Sequence, residues 1–206
     1  MKKTYKPNAS SLNAKRYTLY ASSGFTIVET LVAIAILLMS ISAPLTIAEK
    51  GLASAETARQ EITAFYLAQE AMEYIRNVRD TNALSGLGGQ SNWLQDLNPC
   101  IQSGGCGVDV TAPPPGQQIT ACNQNNDNCR LSQYTGNPNS PLLGIFGHSL
   151  PDENWTATDF IRRVDIQEIQ NSIEARVQVT MTWKAGSLGS RTLILSENIF
   201  NWYDSP

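Results

Sequence analysis

The sequence predicts an α+β protein in which a long N-terminal helix packs on a C-terminal antiparallel β-meander. An apolar run covers residues 25–48, and an apolar stripe at spacings of three and four continues from it to Val78. Further on, apolar and polar residues alternate strictly over residues 172–184. The first spacing is typical of one helix face, and a period of two is typical of a strand with one solvated face. The 206 residues allow one globular domain and an attachment.

Charge divides the chain at its N-terminal end. Residues 1–24 carry five basic and no acidic side chains, whereas the remainder carries ten basic against 18 acidic ones, a formal net charge of −8. The sequence pI of about 5.2 argues against a general nucleic-acid binder, so no specific nucleic-acid partner is predicted. The split predicts that the first segment occupies a different compartment from the rest.

Residues 25–48 are long and apolar enough to cross a lipid bilayer. As a helix they would span about 36 Å, against a hydrocarbon core of about 30 Å. Basic residues before the run and Glu49 after it predict a cytoplasmic N-terminus with the remainder outside. An ordinary cleaved secretory signal fits less well, because the small residues at positions 22–24 precede the apolar run instead of following it.

Glu29 is the single charged residue of this run. A carboxylate within an apolar membrane helix is costly unless it is paired or lies near the interface. One interpretation is a functional residue that requires a cation, such as a new ammonium on Phe25 after cleavage behind Gly24. The other is a shallow residue near the helix N-terminus, where negative charge is favoured.

The segment Gly24-Phe25-Thr26-Ile27-Val28-Glu29-Thr30-Leu31, between a basic leader and an uncharged run, resembles the processing signal of type IV prepilins and type II secretion pseudopilins. The resemblance implies a cytoplasmic leader of residues 1–24, cleavage by a prepilin peptidase between Gly24 and Phe25, and N-methylation of Phe25. It implies that Glu29 meets the N-terminal amine of a neighbouring subunit during assembly. Pro44 resembles the proline at which such helices bend or locally melt, since proline lacks the amide hydrogen.

The resemblance also implies a pilin-like fold and a structural function. The partners implied are the prepilin peptidase, other pilin or pseudopilin subunits, a membrane platform protein and a cytoplasmic assembly ATPase. The predicted location is the bacterial cytoplasmic membrane, followed by an extracytoplasmic filament. Minor pilin and secretion pseudopilin both fit. The alternative from another class is a single-pass, membrane-tethered extracytoplasmic binding or adhesion domain that keeps its leader.

Residues 49–80 predict the amphipathic half of the same helix. Small stripe residues near the membrane permit close helix–helix packing, and the bulky ones further on suit packing on a sheet. Residues 67–77 also resemble the helix end of minor pilins and of small minor pseudopilins. The predicted stripe consists of Ala48, Gly51, Ala55, Ala58, Ile62, Phe65, Ala68, Met72, Ile75 and Val78.

Residues 81–158 are rich in turn-forming residues and predict a variable loop region. Disulfides are expected if this region lies outside the cytoplasm. Three disulfide pairings are possible, and the favoured one, Cys100–Cys106 with Cys122–Cys129, closes two short loops. A zinc site fits poorly because the usual paired cysteine spacing is missing. The four cysteines are Cys100, Cys106, Cys122 and Cys129, and the favoured pairs join them in that order.

Neither a cofactor nor an enzymatic activity is predicted. The loop from Asn123 to Asn128 offers oxygen ligands to calcium, but Asp127 is its single carboxylate and turn chemistry explains it equally well. His148 is the single histidine and is expected to be a solvated loop side chain. The sequence contains neither a nucleophile elbow nor a phosphate-binding loop.

Residues 159–206 predict the antiparallel sheet. Strands are expected at 160–169, 172–184 and 191–199, joined by short connections as a meander. One face of such a sheet must be covered, and the helix stripe that ends at Val78 is the available cover.

Overall fold

The computed structural model describes residues 24–85, 93–112, 118–123, 127–148, 153–186 and 189–202. The predicted leader therefore lies outside the described residues, apart from Gly24. The chain divides into two units, Met1–Lys50 and Gly51–Pro206. The elements are helices α1 (Ile27–Ser85) and α2 (Asn98–Ile101), a 3-10 turn at Asp127–Cys129, and strands β1 (Cys106–Val108), β2 (Ile119–Ala121), β3 (Arg130–Tyr134), β4 (Phe146–Gly147), β5 (Trp155–Gln170), β6 (Glu174–Lys184) and β7 (Ser190–Phe200).

The predicted α+β class is confirmed: a long apolar helix precedes an antiparallel sheet. In the meander, β6 lies between β5 and β7, with Val179 opposite Val164 on one side and Leu195 on the other. β6 begins two residues later than predicted, because Ser172 takes a positive φ of 61° in the turn from β5. β5 begins earlier than predicted, at Trp155.

The middle region differs from the loop region expected for it. Four short strands between β1 and β4 extend the sheet in the order β2-β1-β5-β3-β4. β1 joins β5 through Cys106 opposite Val164, and β3 joins it through Ser132 opposite Ala157. Strands of two to five residues carry too few alternations to be recognised by periodicity.

The buried face of α1 differs in part from the predicted stripe. Ala68, Met72 and Ile75 are buried as expected, but Ile62 and Phe65 are exposed. Two apolar stripes overlap on this part of the helix. The stripe that packs on the sheet includes alanines such as Ala64 and Ala71, whereas the predicted stripe used the larger Ile62 and Phe65. The face that joins the hydrophobic core with the sheet consists of Ala64, Leu67, Ala68, Ala71, Met72 and Ile75.

Arg162, on the core side of β5, connects three elements of the second unit. Its side chain is fully buried. One terminal nitrogen donates to the Leu67 carbonyl on α1 at 2.9 Å and to the Glu70 carboxylate, and the other donates to the Val108 carbonyl on β1 at 2.6 Å. A buried cation requires such partners, since an unpaired one costs several kcal/mol.

Further polar contacts join α1 to the sheet around this anchor. The Arg76 guanidinium pairs with the Glu197 carboxylate on β7, and Arg191 approaches Glu61 at 3.5 Å. The Tyr74 hydroxyl donates to the Gln118 side-chain oxygen at 2.8 Å. The helix is therefore connected to both lateral parts of the sheet.

We expect Glu70→Ala to lower the free energy of unfolding by about 2–3 kcal/mol, because it leaves the buried Arg162 guanidinium without its counter-charge. Urea unfolding of the full chain in detergent, followed by tryptophan fluorescence, measures this change. Glu73→Ala on the same helix is the control: the Glu73–Arg76 pair is largely exposed, so its loss should cost about 0–1 kcal/mol. Equal losses in the two variants would contradict the anchoring role of Glu70.

Candidate functional site

The predicted processing bond lies just before α1. Residues 24–26 are non-helical, Gly24 and Phe25 are exposed, and α1 begins at Ile27. A side chain built at Gly24 would meet no atom within 4 Å. Exposed, irregular backbone near a terminus is the setting in which proteases act. The described residues therefore leave the bond between Gly24 and Phe25 accessible.

Thr26 caps the start of α1. Its side-chain oxygen accepts a hydrogen bond from the backbone N–H of Glu29 at 3.2 Å. Thr26 and Glu29 stand at the N-cap and third helical positions, the spacing of a capping box. The carboxylate thus lies in the first turn, where the exposed N–H groups favour negative charge.

Glu29 has no ion-pair partner among the described residues. Its carboxylate is exposed and is surrounded along the chain by apolar side chains such as Ile27, Val28 and Leu31. Both interpretations of Glu29 from the sequence, assembly residue and shallow interface residue, are compatible with this position. Its assembly role stays a prediction.

The first unit presents a large apolar surface. Every valine, isoleucine, leucine, methionine and phenylalanine side chain between Phe25 and Ile47 exposes more than half of its surface. Soluble monomers rarely expose contiguous apolar surface of this extent, so it marks a membrane or protein interaction surface. By length and composition this part of α1 is able to span a membrane.

The polar side chains inside this apolar stretch are satisfied within the helix. The hydroxyls of Thr30, Ser40, Ser42 and Thr46 each donate to a backbone carbonyl three or four residues earlier, at 2.8–3.0 Å. Such internal bonding suits a lipid environment, where water does not compete. Pro44 lies within the continuous helix, and its predicted role in bending or melting stays a prediction.

Two disulfides lie in the second unit, and they join the cysteines as the loop lengths favoured. Cys100 of α2 bonds Cys106 of β1, and Cys122 bonds Cys129. Asn128 supports the second loop as a turn: its side-chain oxygen accepts from the Asn123 backbone N–H at 2.7 Å, and its side-chain nitrogen donates to the Ala121 carbonyl. This use of Asn128 favours turn chemistry over the calcium option. Residues 124–126 of that loop lie outside the described residues.

His148 is not the solvated side chain that the sequence suggested. Its backbone N–H donates to the Asp109 carboxylate at 3.0 Å, and the other oxygen of Asp109 accepts from the Thr111 backbone N–H at 2.9 Å. The imidazole lies beside Gly107 of β1, with both ring nitrogens shielded from solvent. Burial, reinforced by the positive charge of Arg162, lowers the pKa of His148 to about 4.

The sequence pattern did not indicate a role for Arg162 or Asp109, because their partners are distant along the chain. Alternation alone places Arg162 on a sheet face, and nothing near it in sequence identifies Glu70 as its partner.

Comparison of the chain with protein-family models, curated proteins and solved structures found no match.

The His148 pKa predicts a loss of stability in acid. Above pH 6.5 the imidazole is neutral in both states. Between pH 6.5 and 4 the unfolded chain binds the proton and the folded one does not, so the free energy of unfolding falls by up to about 3 kcal/mol; below pH 4 this loss is complete. Urea titrations of the wild type and of His148→Gln across this range isolate the effect, since glutamine does not titrate. Parallel curves for the two proteins would show that His148 titrates normally.

Proposed function

We propose that this chain is a structural subunit, a minor pilin or pseudopilin, of a type IV pilus-like filament. The observation that carries the proposal is the segment of residues 24–31, in which Gly24-Phe25 precedes a capped helix start and Glu29. The exposed apolar surface of the first unit supports it, because a helix that assembles into a filament core must be apolar beyond what its own domain buries.

The proposed cycle begins in the cytoplasmic membrane. The basic leader stays on the cytoplasmic side, residues 25–48 cross the bilayer, and the second unit lies outside. A prepilin peptidase removes the leader and methylates Phe25. A platform protein and a cytoplasmic ATPase then move the subunit out of the membrane, and its apolar helix surface exchanges lipid for the helices of other subunits.

Glu29 sets the axial register in this proposal. After cleavage, Phe25 carries an ammonium, and a carboxylate four residues along is able to pair with the ammonium of a neighbouring subunit. A charge within an apolar assembly is satisfied at one axial position only, and fixing register is the best-attested use of a buried polar group. The lack of an ion-pair partner for Glu29 among the described residues agrees with a partner supplied by another molecule.

The pilin-like fold is part of the same proposal. Its support is the order of elements: a long N-terminal helix, a middle region with two disulfides, and the β5-β6-β7 meander packed on that helix. A membrane-tethered binding domain would use the same helix as an anchor and would keep residues 1–24. The two functions therefore differ at the N-terminus.

We expect the mature chain from its native membrane to begin at Phe25 and to carry one added methyl group. Intact-mass and N-terminal peptide analysis measure both features. Cells that lack the prepilin peptidase are the control, and there the chain should begin at Met1. A chain that begins at Met1 in cells with an active peptidase would contradict the filament proposal and favour the tethered domain.

We expect Glu29→Ala to be processed normally but to enter filaments at least about tenfold less, the factor that corresponds to a loss of about 1.4 kcal/mol. Quantitative immunoblotting of sheared filament and membrane fractions measures incorporation. Glu49→Ala is the matched control, because Glu49 is also an exposed acid of α1 but follows the apolar run. Normal incorporation of Glu29→Ala would show that assembly does not depend on Glu29, and it would leave the processing prediction unaffected.

A further inference from the structure

A cleft of about 890 Å³ opens in the second unit. It lies between the last turns of α1, the segment that leads into α2, and the start of β2. This volume is in the range of small-molecule binding sites. The described lining residues combine apolar surface with polar groups, one of which is a carboxylate; they include Tyr74, Asn77, Thr81, Asp96, Asn98 and Ile119.

Internal hydrogen bonds hold the walls of the cleft in place. The Tyr74 hydroxyl donates to Gln118 at 2.8 Å, and the Gln118 side-chain nitrogen donates to the Ala112 carbonyl at 3.1 Å. Asn82, which is buried, donates to the Gln95 carbonyl at 2.6 Å. These bonds connect α1 to both other walls, so the cleft is formed before any ligand arrives.

Four other polar side chains at the cleft are exposed to solvent and make no hydrogen bond with the described residues: those of Asn77, Thr81, Asp96 and Asn98. Together they offer two amides, one hydroxyl and one carboxylate. Amides and hydroxyls both donate and accept, whereas the carboxylate accepts. Asp96 is also held at a positive φ of 66°, a conformation that non-glycine residues rarely adopt.

The chemistry of this lining selects a ligand class. No basic side chain is among the described lining residues, so an anionic ligand would meet Asp96 without a counter-charge. Apolar surface from Tyr74, Val78, Pro99 and Ile119 adjoins the free amides. A sugar ring presents a C–H face and a rim of hydroxyls that both donate and accept. We propose that this cleft binds a neutral saccharide, with Asn77 and Asn98 as the principal hydrogen-bonding residues.

Asp96 faces the same space as the aromatic wall. Burial, and next the negative charge of Asp96, raise the pKa of Tyr74. Asp96 and Tyr74 thus line the same cleft, and the carboxylate charge is felt at the Tyr74 hydroxyl. This inference is independent of filament assembly, since all these residues belong to the second unit.

The test uses the full chain in a polyoxyethylene detergent, because a sugar-headed detergent would compete for the cleft. Saturation-transfer difference NMR is recorded with methyl β-glucoside, methyl β-galactoside, N-acetylglucosamine and cellobiose, and with lysine methyl ester as a cationic probe. We expect at least one saccharide to bind with a dissociation constant on the order of 1 mM, as a few hydrogen bonds and one apolar face allow.

Variants locate the binding. Asn77→Ala and Asn98→Ala should each weaken the affinity about three- to tenfold, the effect of one lost hydrogen bond. Asn139→Ala removes an exposed asparagine outside the cleft and should change nothing. Asp96→Asn removes the negative charge but keeps a hydrogen-bonding side chain that tolerates the positive φ, so it shows whether a bound ligand depends on that charge.

Three results would overturn the proposal. The first is no saccharide binding to wild-type protein whose circular dichroism shows a folded chain. The second is saccharide binding that Asn77→Ala and Asn98→Ala leave unchanged. The third is binding of lysine methyl ester without any saccharide, abolished by Asp96→Asn, which would identify a cation site.

Discussion

The packing of the second unit depends on one buried cation. The Arg162 guanidinium lies in the core between α1 and the sheet, where water does not reach it, and its charge is balanced by Glu70. Alanine surfaces such as Ala64, Ala68 and Ala71 contact a sheet without strong directional preference. Hydrogen bonds from Arg162 to the Leu67 and Val108 carbonyls do have direction, so they determine which turn of the helix lies over which strand.

The two parts of α1 illustrate how one helix serves two environments. From Ala64 to Ile75 the buried positions follow one face, and charged residues such as Glu73 occupy the other. Between Phe25 and Ala48 the residues are apolar on all faces, with the hydroxyls bonded to the helix itself. A face-restricted pattern is explained by the packing of one domain, whereas an all-round pattern requires an apolar environment or many neighbours.

The sequence predicted what depends on local pattern. Strict alternation identified β6, the apolar run identified the start of α1, and short spacing favoured the two disulfides. What it missed depends on distant partners. The strand Cys106–Val108 has too few residues to show a period, and Arg162 meets Glu70 far along the chain. The ring nitrogens of His148 are shielded from solvent, and its backbone is held by the distant Asp109. The cleft walls likewise come from three separate segments.

The hydroxyls bonded to carbonyls along α1 affect how this helix would rotate in a lipid bilayer. Because the hydroxyls of Ser40, Ser42 and Thr46 are hydrogen-bonded within the helix, residues 30–48 present an apolar surface on every side of it. Lipid would therefore favour no particular rotation of this segment about the helix axis. Glu29 is then the single charged side chain of residues 25–48, and it distinguishes one side of the helix from the others. In the proposed filament, the rotational search would end when Glu29 meets the ammonium of a neighbouring chain, so the orientation of the helix would be decided at that encounter.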